Sequence, residues 1–338
     1  MVAAVKARCA FPIESVFGPI LGPVVLVLPA GPSRPEDIAH AAVSAHVRVL
    51  PIDLELGGLQ HDLRRTVVQR AVIELCLMPG VVASVHIATD CRSFSPLNAH
   101  LRLRPPSDPD GRLCPSDFRE YISQQNTMIE LCATIATIMC TSGRGFTWEN
   151  PPDLSDPSHL PCWAWPEMGE VVACLWQTSW LRALRASFDL VMLHSSMCMF
   201  GSEFRKYFSL LMPRHYHKAF VALDGRLCPR TGAHAQHVPA CGLDADGLSR
   251  ATLAGQYPWR LSVALLRGHA RCAASACCPP QRVEMTVRTV GSSDSDGESG
   301  LPSEDGGDAP PPSVMAMSCR QLFGTVVRDA AAPPVGTR

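Results

Sequence analysis

The chain alternates between short β-branched runs and longer stretches whose apolar residues recur at helical spacing. Val24–Leu28 (VVLVL) is a continuous apolar run ended by Pro29-Ala30-Gly31-Pro32, the pattern of a strand buried on both faces. Glu36–Ala45 then predicts a helix, and Val47–Ile52 a second strand ended by Asp53. Leu63–Met78 shows helical spacing, and Val81–Ala88 is a third strand. A long helix is expected from about Ser116 to Met139, capped at Ser116 with Asp117 and Glu120 in its first turns. Phe146–Trp148 predicts a short strand leading into Glu149-Asn150-Pro151, Gly169–Arg185 a helix and Phe188–Leu193 a further strand. Strands alternating with helices of this length predict a doubly wound, mostly parallel α/β sheet. Ligands of such sheets sit at the carboxyl ends of the strands.

Composition divides the chain. Residues 1–20 read as an N-terminal extension, 21–280 as the α/β domain and 281–338 as an acidic, Pro-rich, low-complexity tail. Within that tail Gly291 to Pro312 (GSSDSDGESGLPSEDGGDAPPP) has too few apolar residues to bury a core, and it is expected to be disordered. The whole chain has net charge −1, but 8 acidic and 5 basic residues fall in the tail, leaving the rest about +2. Bulk electrostatics therefore gives little support to tight, nonspecific nucleic-acid binding. The uncharged stretch Ser15–Ser33 is broken by Pro19, Pro23, Pro29 and Pro32, which excludes a spanning helix there. The expected setting is intracellular, nuclear or cytoplasmic, with no membrane partner and reduced thiols. None of the 15 cysteines forms a C-x2-C pair, which argues against zinc ribbons and thioredoxin motifs.

Chemistry is sought where the strands end. Gly31 follows the first strand, where a glycine lets backbone approach a ligand. Asp53 ends the second strand and suits either ribose hydroxyls or a helix cap. Asp62 suits an adenine amino group or, again, a cap. After the third strand, Cys91 stands beside Arg92, a setting that can lower a thiol pKa. Glu149, flanked by Trp148 and Pro151, suits a partly desolvated carboxyl group ready to act as an acid. Cys228, His234, His237 and Cys241 have zinc-binding chemistry. Their spacing is unusual, and Pro229 and Pro239 suit a loop that merely contains them, so no metal is assigned. Trp176 and Trp180 are expected to share one helix and pack into the core.

Taken in order, Gly31-Pro32-Ser33-Arg34-Pro35, Asp53, Asp62-Leu63, Cys91-Arg92-Ser93-Phe94-Ser95 and Glu149-Asn150-Pro151 resemble the C5-cytosine DNA methyltransferases. The branch they resemble is the diverged one associated with retroelements and phages. Met197–Ser202 with Arg205-Lys206, Leu227-Cys228 with His234 and His237, and Gln256–Leu261 extend the resemblance over roughly residues 22–268. It implies a Rossmann-like methyltransferase fold that binds DNA and S-adenosylmethionine. It also implies a catalytic Cys91 thiolate adding to C6 of cytosine, Glu149 binding N3 and the exocyclic amine, and Arg205 positioning the base. Gly31, Asp53 and Asp62 would hold the cofactor, and the base would leave the duplex before reaction. The chain departs from the pattern at Asp90, where the family has proline; a carboxylate there raises the pKa of the adjoining thiol. A second reading on the same fold is a catalytically inactive, retroelement-derived protein that binds nucleic acid or protein. A third, an unrelated nucleotide-binding enzyme, requires Cys91 and Glu149 to lie far apart.

Overall fold

In the computed structural model, which describes residues 13–18, 20, 22–29, 37–156, 171–229, 231–234 and 236–276, the β-branched runs form one sheet. Its strands are β1 (Val24–Leu28), β2 (Val49–Pro51), β3 (Val82–Ile87), β4 (Gly145–Asn150), β5 (Leu190–Ser196) and β6 (Tyr207–Pro213). The order is β2-β1-β3-β4-β6-β5. β1 to β4 pair in parallel, and β6 runs antiparallel to both of its neighbours. This is a mixed α/β sheet in which one strand is reversed.

Period-two alternation sends the side chains to two cores. On β1, Val24, Leu26 and Leu28 face one core while Val25 and Val27 face the other. The first core is covered by helices Thr66–Leu77, Arg119–Thr141 and Ser179–Ser187, through Val72, Ile135 and Leu181 among others. The second is covered by helices Ile38–Ala45, His217–Phe220 and Trp259–Ala276, through Ala41, Phe220 and Leu265. Covering both faces explains why β1 needs five apolar residues in a row. Leu26 and Leu28 are fully buried, each contributing about 1.5–3 kcal/mol.

The second face turns polar in the two middle strands. Ser84 and His86 of β3, with Thr147 and Glu149 of β4, all point to it and all are buried. Gly145 starts β4 on that face because the Tyr216 ring lies where a Cβ would stand, and Gly268 admits the Phe220 ring in the same way.

Four expectations change. The Gly169–Arg185 helix begins only at Ser179, because Thr178 is extended (φ −63°, ψ 153°) and Leu175–Gln177 form a separate 3-10 turn; residues 169 and 170 lie outside the described residues. Trp176 and Trp180 therefore do not share a helix, although Trp176 is fully buried and donates from Nε1 to the Pro151 carbonyl at 2.7 Å. Ser116 opens a 3-10 turn rather than capping the long helix, which begins at Arg119. β6 and the Trp259–Ala276 helix are additional elements. The 281–338 segment and most of residues 1–20 lie outside the described residues, and the chain divides between Gln281 and Arg282. Among the described residues, no helix is long and apolar enough to cross a membrane.

Candidate active site

The chain passes from β1 to β2 on one side and returns to β3 on the other, and in open α/β sheets ligands bind beyond the carboxyl ends of the strands at such a point. Beyond β3, Thr89 and Asp90 lead to Cys91, which precedes a 3-10 turn, Arg92–Phe94. A buried arginine holds this turn. Arg104 Nε donates to Ser93 Oγ at 3.0 Å, Nη2 to Asn126 Oδ1 at 2.7 Å and Nη1 to the Pro109 carbonyl at 2.9 Å. Its guanidinium also lies over the Phe94 ring, 4.4 Å from the centroid. Burial lowers the Arg104 pKa to about 10, with Asp110, Tyr121 and Asp108 opposing the shift. Asp90 is held from the other side. Its carboxylate pairs with Arg92 Nη2 at 2.7 Å and accepts from Gln125 Nε2 at 3.2 Å and Tyr121 Oη at 3.4 Å.

At the end of β4, Asn150 Nδ2 donates to the Thr89 carbonyl at 3.2 Å and Trp148 Nε1 donates to Thr89 Oγ1 at 3.1 Å. These bonds tie the Cys91 and Glu149 segments together. Glu149 is buried; its Oε2 accepts from Tyr257 Oη at 3.1 Å, and Lys206 Nζ stands 3.7 Å from Oε1. Burial raises the Cys91 pKa; Lys206 opposes this, while Glu149 and then Asp90 add to it. Burial works against the Lys206 charge, yet Glu149, Cys91 and Asp90 together raise its pKa. Cys91, Glu149, Lys206 and Tyr257 thus form one electrostatic unit. Asp90, paired with Arg92, acts on Cys91 less than Glu149 does. Glu149 Oε1 and Asn150 Oδ1 are buried, and neither has a hydrogen-bond partner among the described residues. Buried acceptors in that state suit a ligand that brings donors.

A buried hydrogen-bonded chain runs away from Glu149 between the middle strands. His86 Nε2 lies 3.1 Å from Tyr257 Oη, and His86 Nδ1 lies 2.8 Å from Thr147 Oγ1. Thr147 Oγ1 lies 3.0 Å from His269 Nε2, and His269 Nδ1 lies 2.9 Å from Ser84 Oγ. Burial lowers the His86 pKa to about 3 and, with His86 adding to the effect, holds His269 well below the usual range. Both rings are therefore neutral, with one donor and one acceptor nitrogen each. Tyr257 donates its proton to Glu149, so His86 Nε2–H donates to Tyr257 and His86 Nδ1 accepts from Thr147. His269 Nε2–H then donates to Thr147, and His269 Nδ1 accepts from Ser84. Every dipole in this chain points toward the Glu149 carboxyl group.

Asp53 takes the second of its two expected roles. Asp53 caps the Leu54–Gly57 turn, accepting from the Glu55 amide at 2.9 Å. Buried Asp62 is engaged by Arg64, with Nε to Oδ1 at 2.8 Å, Nη2 to Oδ2 at 3.0 Å and the Arg64 amide to Oδ1 at 3.0 Å. Those bonds lower its pKa, and they occupy the acceptors expected for an adenine amino group. Gly31 lies outside the described residues. Arg205 acts electrostatically on Cys198 and His237, so it is the neighbouring Lys206 that reaches Glu149. The Cys/His group also changes membership: Cys198, Cys228, His234 and His237 converge, whereas Cys241 is exposed and stands outside the cluster. Lys206, Tyr257 and Cys198 lie in segments that carried the resemblance but were given no role, and Arg104, His86, Thr147 and His269 were not singled out. The available signal was Ser84 and His86 at alternate positions of β3 among apolar residues. No family model, curated protein or solved structure matches the chain.

Proposed function

We propose that the chain is an S-adenosylmethionine-dependent, C5-cytosine DNA methyltransferase-like enzyme with Cys91 as nucleophile and Glu149 as the base-recognising carboxyl group. The observation that carries this reading is the junction of Cys91, Glu149, Lys206 and Tyr257 at the ends of β3 and β4, beside two buried acceptors without hydrogen-bond partners among the described residues. A flipped-out cytosine suits the place: its exocyclic amine can donate to Glu149 Oε1 or Asn150 Oδ1. The Cys91 thiolate adds to C6, and the electron pair moves to C5, which becomes nucleophilic. Bound S-adenosylmethionine would supply the methyl group for C5, its sulfonium leaving as the neutral thioether S-adenosylhomocysteine. Loss of the C5 proton to solvent and expulsion of the thiolate then restore the ring. Lys206 favours the Cys91 thiolate, and Tyr257, backed by the buried chain, fixes the rotamer of Glu149.

Of the residues the resemblance assigns to the cofactor, Asp53 stands at the carboxyl end of β2 beside β1, with Oδ1 taken by the Glu55 amide. Asp62 does not fit, since Arg64 engages both of its oxygens. The raised Cys91 pKa favours the second reading, a non-catalytic binding protein on this fold. Transfer of a labelled methyl group from S-adenosylmethionine to cytosine-containing DNA separates the two. The proposal expects transfer by the full chain and at least a hundredfold loss in Cys91→Ser. Cofactor binding without transfer in the wild type would overturn it in favour of the second reading.

A further inference from the structure

We propose that Cys198, Cys228, His234 and His237 bind one Zn2+ in a closed, structural site that clips the 226–238 segment onto the end of β5. One ligand atom from each of the four residues lies within 4.8 Å of the others. A tetrahedral zinc with Zn–S about 2.3 Å and Zn–N about 2.0 Å needs ligand separations of roughly 3.3–3.8 Å. Cys228 Sγ and His237 Nε2 already stand 3.8 Å apart, and the rings of His234 and His237 stack at 5.7 Å between centroids. Closing the remaining gaps takes only small side-chain movements. The other nitrogen of His237, Nδ1, is buried and has no hydrogen-bond partner among the described residues.

The donor set selects the metal. Two thiolates and two imidazoles in tetrahedral array suit zinc, and four protein ligands leave no open position for chemistry. Two thiolate charges cancel the ion's own charge, so Arg205 alongside meets a neutral centre.

The backbone around the cluster is prepared for such a clip. The Ser196 amide donates to the Arg226 carbonyl at 2.9 Å, and the Cys228 amide donates to Ser196 Oγ at 2.9 Å. The Val238 amide donates to the Glu203 carbonyl at 3.2 Å. Between these anchors, Gly232–His234 is a single 3-10 turn with no buried residue. A segment with so little apolar burial gains its order from a cross-link. The ligands arrive from two places in the chain, with Cys198 reaching the loop from the 3-10 turn Met197–Phe200 just beyond β5. That turn is bonded to the Lys206 segment, the Met197 amide donating to the Lys206 carbonyl at 2.8 Å. The clip therefore also steadies the cation beside Glu149.

The test uses the full chain, expressed with added zinc and dialysed against metal-free buffer before metal analysis. The proposal expects about one zinc per chain, a loss of at least tenfold in Cys198→Ser and Cys228→Ser, and no change in Cys241→Ser. If the first two variants fail to fold, the wild type decides. Exchange with Co2+ should give the intense visible bands of a four-coordinate, thiolate-bound ion. Zinc should protect Cys198 and Cys228 from iodoacetamide, and a strong chelator should expose them while Cys241 labels throughout. A wild type that retains no zinc and gives only the pale spectrum of six-coordinate Co2+ would overturn the site. So would zinc that survives loss of Cys198 or departs with loss of Cys241.

Discussion

Replacing Glu149 by glutamine is expected to make Cys91 more reactive toward a small alkylating agent while abolishing methyl transfer. The two effects have separate causes. The Glu149 charge raises the Cys91 pKa, so removing it increases the thiolate fraction at any pH below that pKa. The larger thiolate fraction outweighs the lower intrinsic nucleophilicity, because reactivity falls with pKa at a slope of only about 0.4–0.5, so alkylation speeds up. Support of the reacting base is lost at the same time, since an amide can pair with cytosine but cannot pass a proton to N3 as negative charge builds there, and a fall of at least about a hundredfold is expected. Lys206→Met should act in the opposite sense on the thiol, slowing alkylation, because Lys206 lowers the Cys91 pKa. Alkylation followed at the Cys91 peptide by mass spectrometry, alongside methyl transfer, measures both effects. A Cys91 indifferent to both substitutions would mean that the three side chains do not share a site.

Thr147→Val is expected to be the most destabilising single change near the site. The hydroxyl serves two buried rings at once, donating to His86 Nδ1 at 2.8 Å and accepting from His269 Nε2 at 3.0 Å. Valine leaves both nitrogens unsatisfied, at about 1–3 kcal/mol each, against a total stability of roughly 5–15 kcal/mol. The same chain sets a pH dependence. The folded protein holds His86 neutral down to about pH 3, whereas the unfolded chain protonates it near pH 6.5. The unfolded state therefore binds more protons between those values, and stability falls as pH drops through that window. His269 adds in the same direction. Each histidine contributes a slope approaching about 1.4 kcal/mol per pH unit. Urea unfolding at pH 7.5 and at pH 5 checks both statements. Equal stability of wild type and Thr147→Val, or of the wild type at the two pH values, would show that the buried chain is not formed.

Strands β1 to β5 were legible, most clearly Val24–Leu28, where burial on both faces demands an uninterrupted apolar run, whereas β6, without a β-branched residue, was not. Direction was not legible: hydrophobic period is the same for parallel and antiparallel strands, so the reversal of β6 left no mark in Tyr207–Pro213. The Ser179 start of its helix depends on the extended Thr178, a backbone choice that apolar spacing does not record. Cys91 and Glu149 could be found because they directly follow or end strands. The roles of Lys206 and Tyr257 could not, since these residues reach Glu149 only through the start of the reversed strand and the segment before the C-terminal helix. The pairing of Asp62 with Arg64 was within reach, being two residues apart, but an acid beside arginines reads equally well as a ligand contact or a local ion pair.

The central claim is that Cys91 adds to a cytosine held by Glu149. A DNA duplex carrying 5-fluorocytosine tests it most directly, because after methyl transfer C5 bears fluorine and has no proton to lose, so the thiolate cannot be expelled. In the presence of S-adenosylmethionine the full chain should form an adduct that survives denaturation, and proteolysis should place the modified nucleotide on Cys91. Cys91→Ser and Glu149→Gln should form none. Cofactor binding with no adduct in the wild type, or an adduct on any other cysteine, would contradict the claim.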